Sequence, residues 1–187
     1  MNLFFGHNME YISRFITTTN HVFPGVRAVD HGIIEAGEGK MTGIRKLDGM
    51  PVMTGGRLVG HVVRGVLSKD GRHLAGLVVK GKMGGTKWLG RKEILLIGKM
   101  AVIAAADPGK MPDDAQYRLY RVSGADGERI GIVTDAIIYE ETLRVAALEI
   151  SQGPVDDLVT GRWYTTAFSV LPGKHTGHVT IIQNEGR

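Results

Sequence analysis

The residues with the most capacity for chemistry lie in one glycine- and lysine-rich stretch, Gly81-Lys82-Met83-Gly84-Gly85-Thr86-Lys87-Trp88-Leu89-Gly90-Arg91-Lys92. Its glycines leave backbone N–H groups open to an anion, and Lys80, Lys82, Lys87, Arg91 and Lys92 surround them with positive charge. Trp88 adds a flat face on which a base can stack. Lys80, Lys82, Lys87, Trp88, Arg91 and Lys92 are therefore the candidate anion- or partner-binding residues, with phosphate or RNA the chemistry they suit. The stretch is not a triphosphate-binding loop. Gly85 and Gly90 have the spacing, but Arg91-Lys92 follows where such a loop has Lys and then Ser or Thr. The same residues also read as a solvated, flexible inter-strand loop.

Nothing else in the chain assembles a reaction centre. His175-x-x-His178 is the one close histidine pair, with no carboxylate beside it, and a metal site needs three or more ligands. Two exposed histidines are expected there. His61 and His73 flank one hairpin and are expected to face each other across its strands. Asp113-Asp114, Glu140-Glu141 and Asp156-Asp157 are adjacent pairs, and adjacent side chains on a strand point to opposite faces, so solvated turns are expected rather than acid–base couples. Ser13, Ser68, Ser123, Ser151 and Ser169 lie in no Gly-x-Ser-x-Gly elbow. With no cysteine there is no thiolate nucleophile, disulfide framework or cysteine-held metal. The expectation is a protein that is not an enzyme, with no catalytic, metal or cofactor-binding residues and no cofactor.

The lack of cysteine also fits a reducing, cytoplasmic compartment. Hydrophobic residues make up 43 % of the chain, too many for a disordered one, yet no apolar run reaches the ~18 residues of a membrane span. Net charge is +4 and uneven. Residues 41–110 carry 13 basic and 4 acidic side chains, net +9, while residues 111–187 carry 7 basic and 11 acidic, net −4. The middle of the chain is thus the anion-facing part, or else the part that sits against the acidic one. Residues 1–40 read as an extension and linker. Met9, Tyr11, Ile12, Phe15 and Ile16 have the spacing of a short helix over 9–18, Pro24-Gly25 breaks the chain, and no basic residue precedes Arg14, so no secretory signal is expected.

The elements that position these residues repeat. At a shift of 71 residues, Gly56, Gly60 and Val62 coincide with Gly127, Gly131 and Val133, and Val59, Val66 and Leu67 with Ile130, Ile137 and Ile138. Leu77 and Val79 then meet Leu148 and Ile150, Gly90-Arg91 meets Gly161-Arg162, and Trp88 and Trp163 nearly coincide. A tandem duplication follows: repeat 1 over 41–106, basic; a surface linker over 107–115 with Pro108 and Pro112; repeat 2 over 116–187, acidic. Each repeat is short, Val- and Ile-rich and punctuated by Gly and Asp, which is strand chemistry. The expected strands in repeat 1 cover 58–67, 73–79, 88–89, 93–97 and 100–104, and in repeat 2 cover 130–139 and 143–150. Glycines inside the first long strand mark a bend, as when a small sheet curls into a barrel. Lys69-Asp70-Gly71-Arg72 is a hairpin turn, whereas Glu140-Glu141-Thr142 lacks glycine and calls for a different turn. One helical turn fits 92–95. The fold expected is all-β: two small barrels in tandem behind an N-terminal extension.

The element Gly-x-x-(Val/Ile)-Gly-x-Val, present at 56–62 and 127–133, followed by an apolar strand, an acidic turn and a second apolar strand, resembles the PRC-barrel domain. Leu47-Asp48-Gly49-Met50-Pro51-Val52 resembles the way that family opens; Tyr117-Arg118-Leu119-Tyr120-Arg121-Val122 is looser and lacks the glycine. The resemblance spans about 140 of 187 residues, leaves 1–40 outside, and rests on glycines and apolar residues, so it speaks to fold and not to chemistry. Such domains occur in the cytoplasmic part of the photosynthetic reaction-centre H subunit, in a ribosome maturation factor and in many small bacterial and archaeal proteins. The resemblance implies a rigid adaptor surface whose partner is another protein. Two further readings come from the charge: association with RNA or the ribosome through the basic repeat, and self-assembly of the basic repeat on the acidic one into a homo-oligomer.

Overall fold

Runs of Val, Ile and Leu pair as strands nearly throughout the computed structural model, which describes residues 39–82 and 84–182; all of these belong to one compact unit. The helix expected over 9–18 lies outside the described residues. The chain enters at β1 (Met41–Gly43), and a 3-10 turn (Ile44–Leu47) leads into β2 (Pro51–Thr54), β3 (Arg57–Leu67), β4 (Leu74–Gly81), β5 (Thr86–Gly90), β6 (Ile94–Ile97) and β7 (Val102–Ala104). These last six form one sheet in the order β5-β4-β3-β2-β7-β6. A second 3-10 turn (Asp113–Gln116) precedes β8 (Arg118–Ser123), β9 (Arg129–Tyr139), β10 (Val145–Ser151), β11 (Trp163–Thr165), β12 (Phe168–Pro172) and β13 (Thr176–Ile181), ordered β11-β10-β9-β8-β13-β12. The one α-helix of the described residues, α1 (Pro154–Val159), joins β10 to β11. The fold is two small β-barrels in tandem, each a curled sheet. β1 lies next to the first barrel in sequence but pairs with β9 of the second.

The shift of 71 residues is a structural equivalence. Val62 pairs with Val79 and Val133 with Ile150; Arg64 pairs with Val78 and Asp135 with Glu149. Both long strands therefore bulge at the same place, Val63 and Thr134, and the bulge bends an 11-residue strand around its barrel. Two sequence matches do not survive. Gly90 ends β5 opposite Gly76, whereas Gly161-Arg162 precede β11. Trp88 pairs with Val78 but Trp163 with Ile150, so Tyr164, opposite Glu149, holds the place of Trp88. The segment carrying α1 is five residues longer than its counterpart, so the equivalence moves from +71 to +76 and the two tryptophans stand one position apart on the paired strands.

The repeats meet about a pseudo-two-fold axis. His73 bridges to Arg144, its own equivalent at +71. The Leu74 N–H donates to the Leu143 carbonyl and the Val145 N–H to that of Arg72, both at 2.9 Å, and each bond is the image of the other. His73 is thus turned toward the other repeat, and His61, which pairs with Pro51 and Lys80, does not face it. The clamps at the 3-10 turns follow the same symmetry. Asp135 accepts the Arg45 N–H at 3.1 Å, and Arg64, at the matching position of β3, donates to the Ala115 carbonyl. Replacing Arg64 by Met leaves that carbonyl without its donor and is expected to cost about 1–2 kcal/mol, read as a lower urea midpoint at unchanged slope.

One apolar cluster runs through both repeats, from Leu47, Leu77 and Leu89 to Tyr117, Leu148 and Ile150. The Asp70-Gly71 turn forms as expected, with Gly71 at φ +70° and the Asp70 carboxylate accepting the Arg72 N–H at 3.0 Å. The glycine-free turn solves the same problem with Leu143 at φ +57°, its side chain buried in the shared core. A 3-10 turn occupies Arg91–Glu93, next to the position expected for a helical turn. The linker is not merely solvated: Pro108 is buried, and Gly109 exchanges two backbone hydrogen bonds with Trp88, covering the outer edge of β5.

Candidate functional site

Strand geometry distributes the six candidate anion-binding residues instead of gathering them. Lys80 pairs with Thr86 and Lys87 with the buried Val79, so the two lysines leave opposite faces of the sheet. Lys82 is exposed in the loop where Gly84 and Gly85 take φ of +81° and +75°. Arg91 and Lys92 follow the far end of β5; Arg91 donates to the Thr142 carbonyl at 2.8 Å and so belongs to the contact between repeats, while Lys92 is exposed. Trp88 packs against the core, and its indole lies over Gly76, where a Cβ would collide with it. Its ring is a structural wedge. Lys80, Lys82, Lys87 and Lys92 are exposed and make no ion pair among the described residues.

The positions that carry Val63, Val78 and Trp88 in repeat 1 carry Thr134, Glu149 and Tyr164 in repeat 2. Glu149 accepts hydrogen bonds from Thr134 at 2.7 Å, Arg162 at 2.8 Å and Tyr164 at 3.0 Å. Burial would raise its carboxyl, but these donors outweigh burial and hold it below the usual range. Burial, then the neighbouring Glu149 charge, pushes the Tyr164 phenol up to about 12. Asp157 accepts from Ser151 at 2.8 Å and from Arg162 at 3.2 Å, and Ser151 and then Arg162 hold it low. The adjacent carboxylates do not pair with one another, but they are not all solvated turns: Glu140, its side chain largely buried, pairs with Lys40 at 2.7 Å, Asp156-Asp157 lie in α1 with Asp157 on Arg162, and Asp113-Asp114 open a 3-10 turn.

Asp135 behaves differently from Glu149 and Asp157. Burial raises its carboxyl, Glu149 raises it further, and the N–H donors of Arg45 and Ala136 do not cancel the rise. A raised carboxyl contributes stability that is full below the ordinary carboxylate pKa and lost as pH rises through the raised one. Asp135→Asn keeps an acceptor for Arg45 and drops the charge. It is expected to melt about 2–3 °C higher than the parent at pH 7, with the difference vanishing toward pH 3 in a series of thermal melts.

Two apolar surfaces escaped the sequence. Ile94–Ile97 falls in the strand expected over 93–97, and with a bulge at Leu95 both of its leucines stand outward. Leu95 is 65 % and Leu96 55 % exposed, with Met100 and Ile103 exposed on the same hairpin. On α1, Val155, Leu158 and Val159 share one helical face and all stand in solvent. Their spacing is legible as a helix, but nothing in it says that the face is uncovered.

No His, Cys, Asp or Glu cluster among the described residues can hold a metal ion, and none of their helices is long and apolar enough to cross a membrane. No family model matches the chain, and no curated protein matches it.

Proposed function

We propose that this chain is a non-enzymatic, tandem PRC-barrel-like adaptor that binds another protein. The observation that carries it is the β6–β7 hairpin, where Leu95, Leu96, Met100 and Ile103 stand exposed together at one end of a sheet whose other edge, β5, is covered. Exposed apolar groups held together on a rigid frame are the usual mark of a protein contact. Capture from the host lysate by the tagged chain, with and without RNase, tests the reading. Partners should survive RNase and be lost from the Leu95→Lys, Leu96→Lys double variant, which keeps its fold because neither side chain is in the core. Retention by that variant would remove the hairpin from the account.

A second reading, RNA or ribosome contact, rests on Lys80, Lys82, Lys87 and Lys92, exposed and in no ion pair among the described residues. It predicts capture that disappears with RNase and falls steeply with salt. Because these lysines lie on both faces and at both ends of β5, they suit backbone phosphates along an extended strand better than one bound phosphate.

A further inference from the structure

We propose that the outer face of the second barrel holds a binding cleft for a small organic oxyanion, a carboxylate or phosphate ester with an apolar body. The cleft measures about 450 Å³, within the size range of small-molecule sites, and Tyr120, Arg121, Leu171, Pro172, Thr176 and His178 line it. Among the described residues no carboxylate lines it, although residues 111–187 carry 11 acidic side chains against 7 basic ones. The acidic repeat thus contains a cationic recess.

The recess is built by a bulge. Gly177 pairs with Leu119 and His178 with Arg121, so Tyr120 is the extra residue. In a regular strand Tyr120 and Arg121 would leave opposite faces; here both are exposed, and Arg121 lines up beside His178. The His178 ring is fixed by its Nε2 contact to Ser123 Oγ at 2.6 Å, which leaves Nδ1 for a second partner. The Arg121 guanidinium has no hydrogen bond or ion pair within the described residues. Its planar fork suits two oxygens of one anion. Tyr120 and Leu171, 49 % and 74 % exposed, form the apolar walls.

The barrel does not need these groups. The equivalent strand pair in the first repeat, β2 with β7, aligns Val52 with Val102 as β8 and β13 align Val122 with Val179. One residue earlier stand Pro51 and Ala101 in place of Arg121 and His178, and one later Met53 and Ile103 in place of Ser123 and Thr180. The same frame is built there with apolar side chains.

Amide-resolved NMR titration of the whole chain at fixed ionic strength tests the cleft, with phenyl phosphate, benzoate and inorganic phosphate as probes. Phenyl phosphate or benzoate should give saturating shifts at Tyr120, Arg121, Leu171, Thr176 and His178, and the tighter of the two identifies the head group. Inorganic phosphate should bind about tenfold more weakly, lacking the apolar body. Arg121→Met should weaken the better probe about tenfold and Leu171→Ser severalfold, with the rest of each spectrum unchanged because both side chains are exposed. Absence of saturating shifts in the cleft with both organic probes would overturn the proposal. So would equal binding of inorganic phosphate, shifts confined to residues 80–92, or affinities indifferent to Arg121→Met.

Discussion

Gly60→Ala and Gly131→Ala are each expected to lower the melting temperature by about 10 °C, and together to remove most of the folded population. The two glycines are equivalent at +71, and what crowds them is backbone. A Cβ on Gly60 would run into the Lys80 carbonyl and come within 2.8 Å of the Val79 side chain. A Cβ on Gly131 would run into the Ser151 carbonyl group, its carbon at 3.0 Å. Lys80 and Ser151 are themselves equivalent, and in each barrel the end of the second strand crosses directly over this glycine. A flexible side chain could swing away, but a carbonyl fixed in a ladder cannot, so relief requires the strand pair to separate. Overpacking of this kind costs about 3 kcal/mol per site, and the two sites share no partner, so the costs add. About 6 kcal/mol is comparable to the whole stability of many domains. Gly109→Ala, with open space where its Cβ would go and no positive φ, is the control and should melt like the parent. Thermal melts of the three single variants suffice, and parental melting of Gly60→Ala would show that the strand crossing gives way.

This pair also shows why the fold was legible and much of the surface was not. A repeat is read from positions where one residue type alone fits, and Gly60 and Gly131 are fixed by a contact that both barrels must make. The apolar matches Leu77 with Leu148 and Val79 with Ile150 held for the same reason, since all four are fully buried. Gly90-Arg91 and Gly161-Arg162 matched in letters but answered to no shared contact, and α1 separated them. The outward turn of Leu95 and Leu96 rests on a bulge, a register choice made by the partner strand and invisible in the four residues concerned. The candidate cations were legible as charge. Their spread over two faces follows from pairing Lys80 with Thr86, which sequence spacing does not specify. The cleft beside Arg121 was hidden the same way, since His178 appeared only as half of a weak histidine pair.

The fully buried pairs Leu77 with Leu148 and Val79 with Ile150 keep their apolar character. Other equivalent positions differ, including Arg72 and Leu143 and His73 and Arg144 at the axis between the repeats. Val63, Val78 and Trp88 became, or arose from, the Thr134, Glu149 and Tyr164 network. Pro51 and Ala101 correspond to Arg121 and His178. Two barrels of one design thus present an apolar hairpin on one repeat and polar groups on the other.

Residues 1–106 and 107–187 expressed separately are each expected to lack a cooperative melting transition, and to regain one when mixed in equal amounts. A repeat of this size buries only about 60 % of its unfolded surface, marginal for independent folding. Here the deficit is met by the other repeat. The tip of the first hairpin enters the second barrel: Gly71 lies against Leu119, Phe168 and Val170, and the Arg72 guanidinium sits 4.9 Å from the centre of the Phe168 ring while donating to its carbonyl. The Tyr117 hydroxyl reaches back to the Lys69 carbonyl at 3.0 Å. In the opposite direction Leu143 is buried at the second hairpin, and Arg91 holds the Thr142 carbonyl. Separation would also strip β1 from β9 and Gly109 from β5, exposing ladder edges that now are paired. The same contacts can form between two chains, because the axis relating the repeats does not depend on the peptide that joins them. Circular dichroism melts of each half and of the mixture decide the matter. A sharp transition in either half alone would mean that its barrel is self-sufficient and that the shared core only docks two finished domains.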